Sequence, residues 1–277
     1  MKIVFAQLAL SIISLNCFGQ IIHSPIQAHY VHAATYSKDF ADVFSFTDNQ
    51  AALSSLKNIS AGVYGEQRFL LKETSMYSMA FALPTSSGSF GFQANYFGSS
   101  DYNESQLGIA YGKKLGKLID IGAQFNYYDV RINGYGSAGT MNFEVAAMLH
   151  LTEKLHLGLH AYNPVGGRFG KNTEEKLASV FNVGAGYDAS KQVFVSTEIV
   201  KEENKPVNVN VCLQYAFAKQ FFARGGIETQ STSPYAGVGL LWNNCRIDIA
   251  VSYHPQLGLT PGMLLIYQFN KKEEQNQ

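Results

Sequence analysis

HLGLH at residues 156–160 sets two histidines four positions apart. On a helix that spacing brings both imidazoles to one metal ion. On a strand it leaves them about 13 Å apart, too far to share one. A turn centred on Glu153 would instead place His150 opposite His156 across a hairpin, and two imidazoles without further ligands make a hydrogen-bonded pair. No metal or other cofactor is expected. GYGSAG at 134–139 has the spacing G-x-G-x-x-G, whose chemistry requires a helix N-terminus directly after the glycines to receive a pyrophosphate. MNFEVAAML follows and alternates like a strand, so the segment reads as a flexible surface loop. Ser252 and His254 would face the same way on a strand, with no nucleophile elbow and no paired carboxylates in a recognisable context. The chain is expected to have no catalytic residues and not to be an enzyme.

The elements that must carry these residues alternate with a period of two. In IDIGAQFNYY, Ile119, Ile121, Ala123, Phe125 and Tyr127 share one face, and Asp120, Gly122, Gln124, Asn126 and Tyr128 the other. VNVNVCLQY, IDIAVSY and FFARGGIE divide in the same way. About fourteen such segments follow one another from residue 60, each about nine to eleven residues long, the length a tilted strand needs to cross a bilayer. Short turns such as KKLGK at 113–117, TEK at 152–154 and ASKQ at 189–192 alternate with longer connections at 98–105, 132–139, 163–176 and 254–263. Tyr111, Tyr187, Trp242 and Phe269 lie beside the short turns, where an interfacial girdle would sit. A soluble β-sandwich also alternates, but its strands average about five to six residues.

The fold class expected is therefore all-β: a transmembrane antiparallel up-and-down β-barrel of about fourteen strands with a short N-terminal helical plug segment. In hydrocarbon every backbone donor and acceptor must be paired, which a sheet achieves only by closing on itself. The second face then lines the lumen. It is rich in glycine and amides (Gly122, Gly158, Gly184, Gly186, Gln124, Asn182), with few charges of both signs, among them Glu66, Arg68, Glu144, Arg224 and Glu228. Such a lumen does not suit a wide ion-selective pore, and its small residues leave room for something inside. TDNQAALSSLKN at 47–58 is the candidate occupant: Asn49 would cap a short helix, and Ala51, Leu53 and Leu56 would pack on the glycine-lined wall.

The first twenty residues hold one basic residue, Lys2, then an apolar run and small residues ending at Gly19, the layout of a secretory signal peptide. The expected organisation is a signal peptide over 1–19, an N-terminal plug segment over 20–58, the barrel over 59–270 and a polar tail over 271–277. The formal net charge is zero, which gives no global attraction to nucleic acid, and none is expected as a partner. Cys212 and Cys245 are the cysteines of the mature chain, too few for a disulfide framework.

DNQAAL, behind AATYSKDFADVFSFT, resembles the segment ahead of the first strand in FadL/TodX-like outer-membrane barrels, and more closely that of compact PorV/PorQ-type relatives linked to type IX secretion. Those families carry Asn-Pro-Ala followed by small and apolar residues. Asn49 and Ala51 match, Gln50 replaces the proline, and Ala52 and Leu53 continue the pattern. The resemblance implies the outer membrane of a double-membraned bacterium, contact with outer-membrane lipid, and an accessory role in protein secretion or surface attachment, with secretion-system proteins as partners. The alternatives are a FadL-like channel for a small hydrophobic ligand and a structural or adhesive barrel presenting the loop at 163–176.

Overall fold

A computed structural model of the chain describes residues 29–166 and 177–269. The expected signal peptide, the first part of the plug segment, most of the loop at 163–176 and the tail lie outside the described residues. Fourteen strands run β1 Ser60–Gln67, β2 Ser75–Thr85, β3 Gly88–Gly98, β4 Tyr102–Leu115, β5 Ile119–Ile132, β6 Gly136–His150, β7 Leu155–Tyr162, β8 Val180–Asp188, β9 Val193–Glu202, β10 Asn208–Ala216, β11 Phe221–Glu228, β12 Ser233–Trp242, β13 Cys245–His254 and β14 Gly258–Gln268. Each pairs antiparallel with its neighbours in sequence, and β1 closes the barrel on β14, with Ser60 opposite Gln268 and Val63 opposite Leu265. The start of β1, the end of β14 and the turns at 86–87, 116–118, 151–154, 189–192, 217–220 and 243–244 lie at one end, called here the inner mouth.

The alternation read from sequence places side chains as expected. On β5, Ile119, Ile121, Phe125 and Tyr127 point outward, while Asp120, Gln124, Asn126 and Tyr128 are buried inside. The wall is apolar on the outside: Phe125 is 74% exposed, Ile109 67% and Ile249 66%. In water such a surface would be an aggregation liability; facing lipid it costs nothing. Tyr111, Tyr187, Phe221, Trp242, Tyr267 and Phe269 form an exposed aromatic band near the inner mouth. An eleven-residue strand tilted by about 45° spans about 26 Å, close to the roughly 25 Å height of a barrel's apolar band.

The connections at the other end, the outer rim, differ from expectation. The segments at 98–105, 132–139 and 254–263 are mostly strand, with turns confined to 99–101, 133–135 and 255–257. Of the residues at 134–139, Gly136 to Gly139 therefore belong to β6, and only 134 and 135 lie in the turn. Backbone pairing carries through these polar, glycine-rich stretches (Asp129 faces Gly139, Ile132 faces Gly136), making β4, β5 and β6 the tallest strands. Side-chain alternation alone understates strand length wherever both faces are wet. Only the connections at 68–74 and 163–179 are long among those at the rim.

The hydrophobic core lies inside the barrel, between the wall and the residues that precede β1. Tyr30, Val31, Val43, Phe44, Phe46 and Leu53 are buried against Ala80, Ala82, Cys212, Tyr235, Leu264 and Ile266.

Candidate functional site

The N-terminal segment is a plug. Its described part starts in a single helical turn, α1 (His29–His32), near the outer end of β11, where His29 contacts Glu228 at 3.0 Å. The chain then descends to the inner mouth at Ser37 and Lys38, whose side-chain hydroxyl and backbone N–H donate to Asp188 at the end of β8. It turns back into the lumen, forms a 3-10 helix over Gln50–Ser55 and leaves past Asp120 to enter β1. Asn49 caps that helix as its sequence implies: its backbone is extended, and its Oδ1 accepts the Ala51 N–H at 3.1 Å. Its Nδ2 also donates to the Leu159 carbonyl at 3.2 Å. The helix is tighter and shorter than an α-helix over 47–58 would be, because Leu56 is already extended and heads for β1.

Small wall residues make this fit possible. The Tyr36 ring lies flat against β7 and β8, so that a Cβ on Gly158 or Gly184 would come within 2.2 Å of it. On β4 and β5, Gly112 and Gly122 admit the backbone of Gln50 and the side chain of Leu53 in the same way. Ala51, Ala52 and Leu53 are fully buried, and Leu56 is half-buried against the core.

The other face of the plug is tied down by polar side chains. Gln50 donates to Glu144 at 2.6 Å, and that carboxylate also takes Asn126 at 2.6 Å, His160 at 2.8 Å and Gln124 at 3.1 Å. Asp42 meets Arg246 at 2.7 Å; Arg246 meets Asp248 at 2.5 Å, and Asp248 accepts the Tyr30 hydroxyl at 3.0 Å. Arg224, fully buried, donates to the Tyr30 carbonyl at 2.9 Å and to Gln214. The Tyr36 hydroxyl donates to Glu198. Burial pushes the His32 imidazole down to about 4, so this ring is neutral near neutral pH. Burial works against charge on His29 as well, but the hydrogen bond and charge of Glu228 outweigh it and raise its pKa.

The site residues expected from sequence all border the lumen, in separate places. Asn49, Ala51, Leu53 and Leu56 belong to the plug, Glu144 binds it through Gln50, and Arg224 and Glu228 meet its first turn. Glu66 and Arg68 pair with each other at 2.7 Å at the outer end of β1. Tyr30, Tyr36, Asp42 and Gln50 were not legible as site residues, since nothing periodic marks a segment that folds against a curved wall. Arg246 and Asp248 carried a signal, two opposite charges on one face of an amphipathic strand. His150 and His156 do pair across their hairpin. Ser252 and His254 form no nucleophile–base pair: His254 Nδ1 accepts the backbone N–H groups of Gln256 and Leu257 and holds a turn. Cys212 and Cys245 are not bridged.

A cavity of about 20 Å³ lies between the plug and β9–β12, lined by His32, Tyr36, Glu198, Asn210, Cys212 and Tyr235, with room for a water or two. Toward the outer rim, Leu177 folds inward from the β7–β8 connection and closes an apolar cluster with Tyr128, Val130, Tyr162 and Val180.

No protein-family model matches the chain, and no curated protein sequence does. Solved structures do. The CymD monoaromatic hydrocarbon channel superposes with a TM-score of 0.66 at 9% identity, over 91% of this chain and 99% of that one. The toluene transporter TbuX of Ralstonia pickettii gives 0.58 at 12% identity, over 82% and 93%. A FadL homologue of Pseudomonas aeruginosa gives 0.57 at 10%, over 89% and 98%. Nothing in these comparisons supports a PorV/PorQ-type protein as the nearer relative. What the chain shares with the FadL/TodX-type barrels is the fold, a closed antiparallel barrel.

Proposed function

We propose that the protein is an integral outer-membrane barrel through which small, largely apolar molecules cross when the plug yields. The observation that carries this reading is how the plug is attached. Among the described residues, no backbone–backbone hydrogen bond joins residues 29–58 to the strands; the plug is held by side-chain contacts and packing. It can shift without breaking a sheet ladder, which a gate requires and a structural core element does not. The likeness in fold to structures described as hydrocarbon channels and a toluene transporter supports the ligand class.

One observation favours a second reading: among the described residues the plug packs closely on the lumen wall. A barrel occupied in this way would also serve as a rigid scaffold for protein export or surface attachment, presenting the connection between β7 and β8. Locking the plug separates the two. Ser37→Cys and Asp188→Cys, introduced in a Cys212→Ala, Cys245→Ser background, would join the plug to β8 where the two side chains now touch. Toluene influx into proteoliposomes is expected to be low when this pair is oxidised and to recover on reduction. Influx equal to that of protein-free vesicles in both states would overturn the channel reading and favour the scaffold.

A further inference from the structure

A chain of polar contacts crosses the inner mouth and touches the plug at two points, Ser37 and Ser54. Ser54, where the plug leaves, donates to Asp120 on β5. Asp120 Oδ2 lies 3.0 Å from His150 Nε2 on β6, and His150 Nδ1 lies 2.9 Å from His156 Nδ1 on β7, the rings edge to face. His156 Nε2 is 3.2 Å from Asp188 Oδ2, within ion-pair distance though off the line of a good hydrogen bond. Asp188 in turn accepts from the Ser37 hydroxyl at 2.6 Å and the Lys38 backbone N–H at 3.0 Å, where the plug reaches the mouth. His156, Asp120 and Asp188 are buried. The other charged groups nearby are the exposed Lys114 of β4, opposite Asp120 in the sheet, Glu153 and Lys154 in the exposed β6–β7 turn, with Lys154 held on the Ala189 carbonyl, and the exposed Lys38 and Asp39.

Counting protons on the four ring nitrogens fixes the state this geometry needs. Each Nε2 faces a carboxylate oxygen and must carry a proton to be attracted to it. The two Nδ1 atoms face each other at hydrogen-bond distance, so one must be protonated and the other bare. Three protons on two rings make one imidazolium and one neutral imidazole between two carboxylates. Remove one proton, and either two Nδ1 lone pairs oppose each other or an Nε2 lone pair opposes a carboxylate. Add one, and two cationic N–H groups collide.

We propose that the His150–His156 pair is a pH-set latch on the plug, closed while the pair holds its one shared proton and released when that proton is lost or a second is gained. Interacting sites of this kind titrate in two steps that belong to the pair. The latch is closed between those steps, so retention of the plug should pass through a maximum with pH. It does not depend on what crosses the barrel, and its test uses no transported molecule.

The test is hydrogen exchange of the plug amides in the full chain in lipid nanodiscs, from about pH 5 to about pH 9, corrected for intrinsic exchange. Protection of the plug is expected to peak at intermediate pH and to fall about tenfold for each pH unit beyond either titration step. His156→Gln keeps a donor and an acceptor but does not titrate, so its profile should lose the maximum. His29 and His32 are common to both proteins, and the difference between the profiles isolates the latch. Matching profiles would overturn the proposal. Should the variant fail to assemble, imidazole nitrogen chemical shifts of the wild-type chain decide: one ring doubly protonated beside one singly protonated ring at intermediate pH is expected. Two neutral rings throughout would overturn it.

Discussion

Asn49 shows how much one residue of the plug does. Its side chain caps the 3-10 helix with one atom and ties it to the β7 carbonyl of Leu159 with another. Asn49→Ala is expected to cost about 1 kcal/mol of plug retention, the usual value of an N-cap. The readout is a roughly fivefold faster exchange of the Ala51 to Leu53 amides at unchanged barrel stability. Arg246 is more exacting, because it sits between Asp42 of the plug and Asp248 of β13. Arg246→Ala leaves two buried carboxylates facing each other and should cost about 3–5 kcal/mol, measurable as protease access to the plug. The capping role of Asn49 could be read from its neighbours in sequence. The Arg246–Asp42 pair, two hundred and four residues apart, could not.

Among the elements, β7 and β8 are shaped by what they hold. Gly158 and Gly184 could each be replaced within a strand, and alanine would suit the pleat at least as well. They are glycine because the Tyr36 ring occupies the space a Cβ would take. Gly184→Ala should therefore release Tyr36 and loosen the plug around Ser37, seen as faster exchange there with the strands unaffected. Tyr36→Ala in the same chain should make Gly184→Ala nearly neutral, a coupling measurable by a double-mutant cycle. The glycine richness of the inward faces is plain in the sequence; which ring each glycine admits depends on how strands distant in sequence curve around one segment.

For the whole molecule, the barrel and the plug have separable stabilities. Every strand is paired on both sides, while among the described residues the plug shares no backbone–backbone hydrogen bond with them. Deleting residues 29–56 should leave a barrel that still shows a heat-modifiable gel shift and should raise its conductance in planar bilayers. The outer wall answers to a different solvent. Phe125→Arg, near the middle of the apolar band, should cost about 2–4 kcal/mol in urea unfolding from lipid vesicles. The same change at Tyr135, in an outer-rim turn, should cost almost nothing.

The sequence by itself determined the barrel. A period of two repeated fourteen times fixes which face of each strand is apolar, and closure follows because no edge can be left unpaired in lipid. It also marked the plug, through a capping residue and a run of small and apolar side chains ahead of the first strand. Tertiary structure decided where the strands end at the outer rim, since pairing continues there after amphipathic alternation has faded. It decided as well how the lumen is filled. The plug's partners come from strands spread along the whole chain, and only closing the sheet brings them round one axis. The pattern of side chains along each strand is local and can be read in order; the fit between wall and plug is a property of the closed barrel.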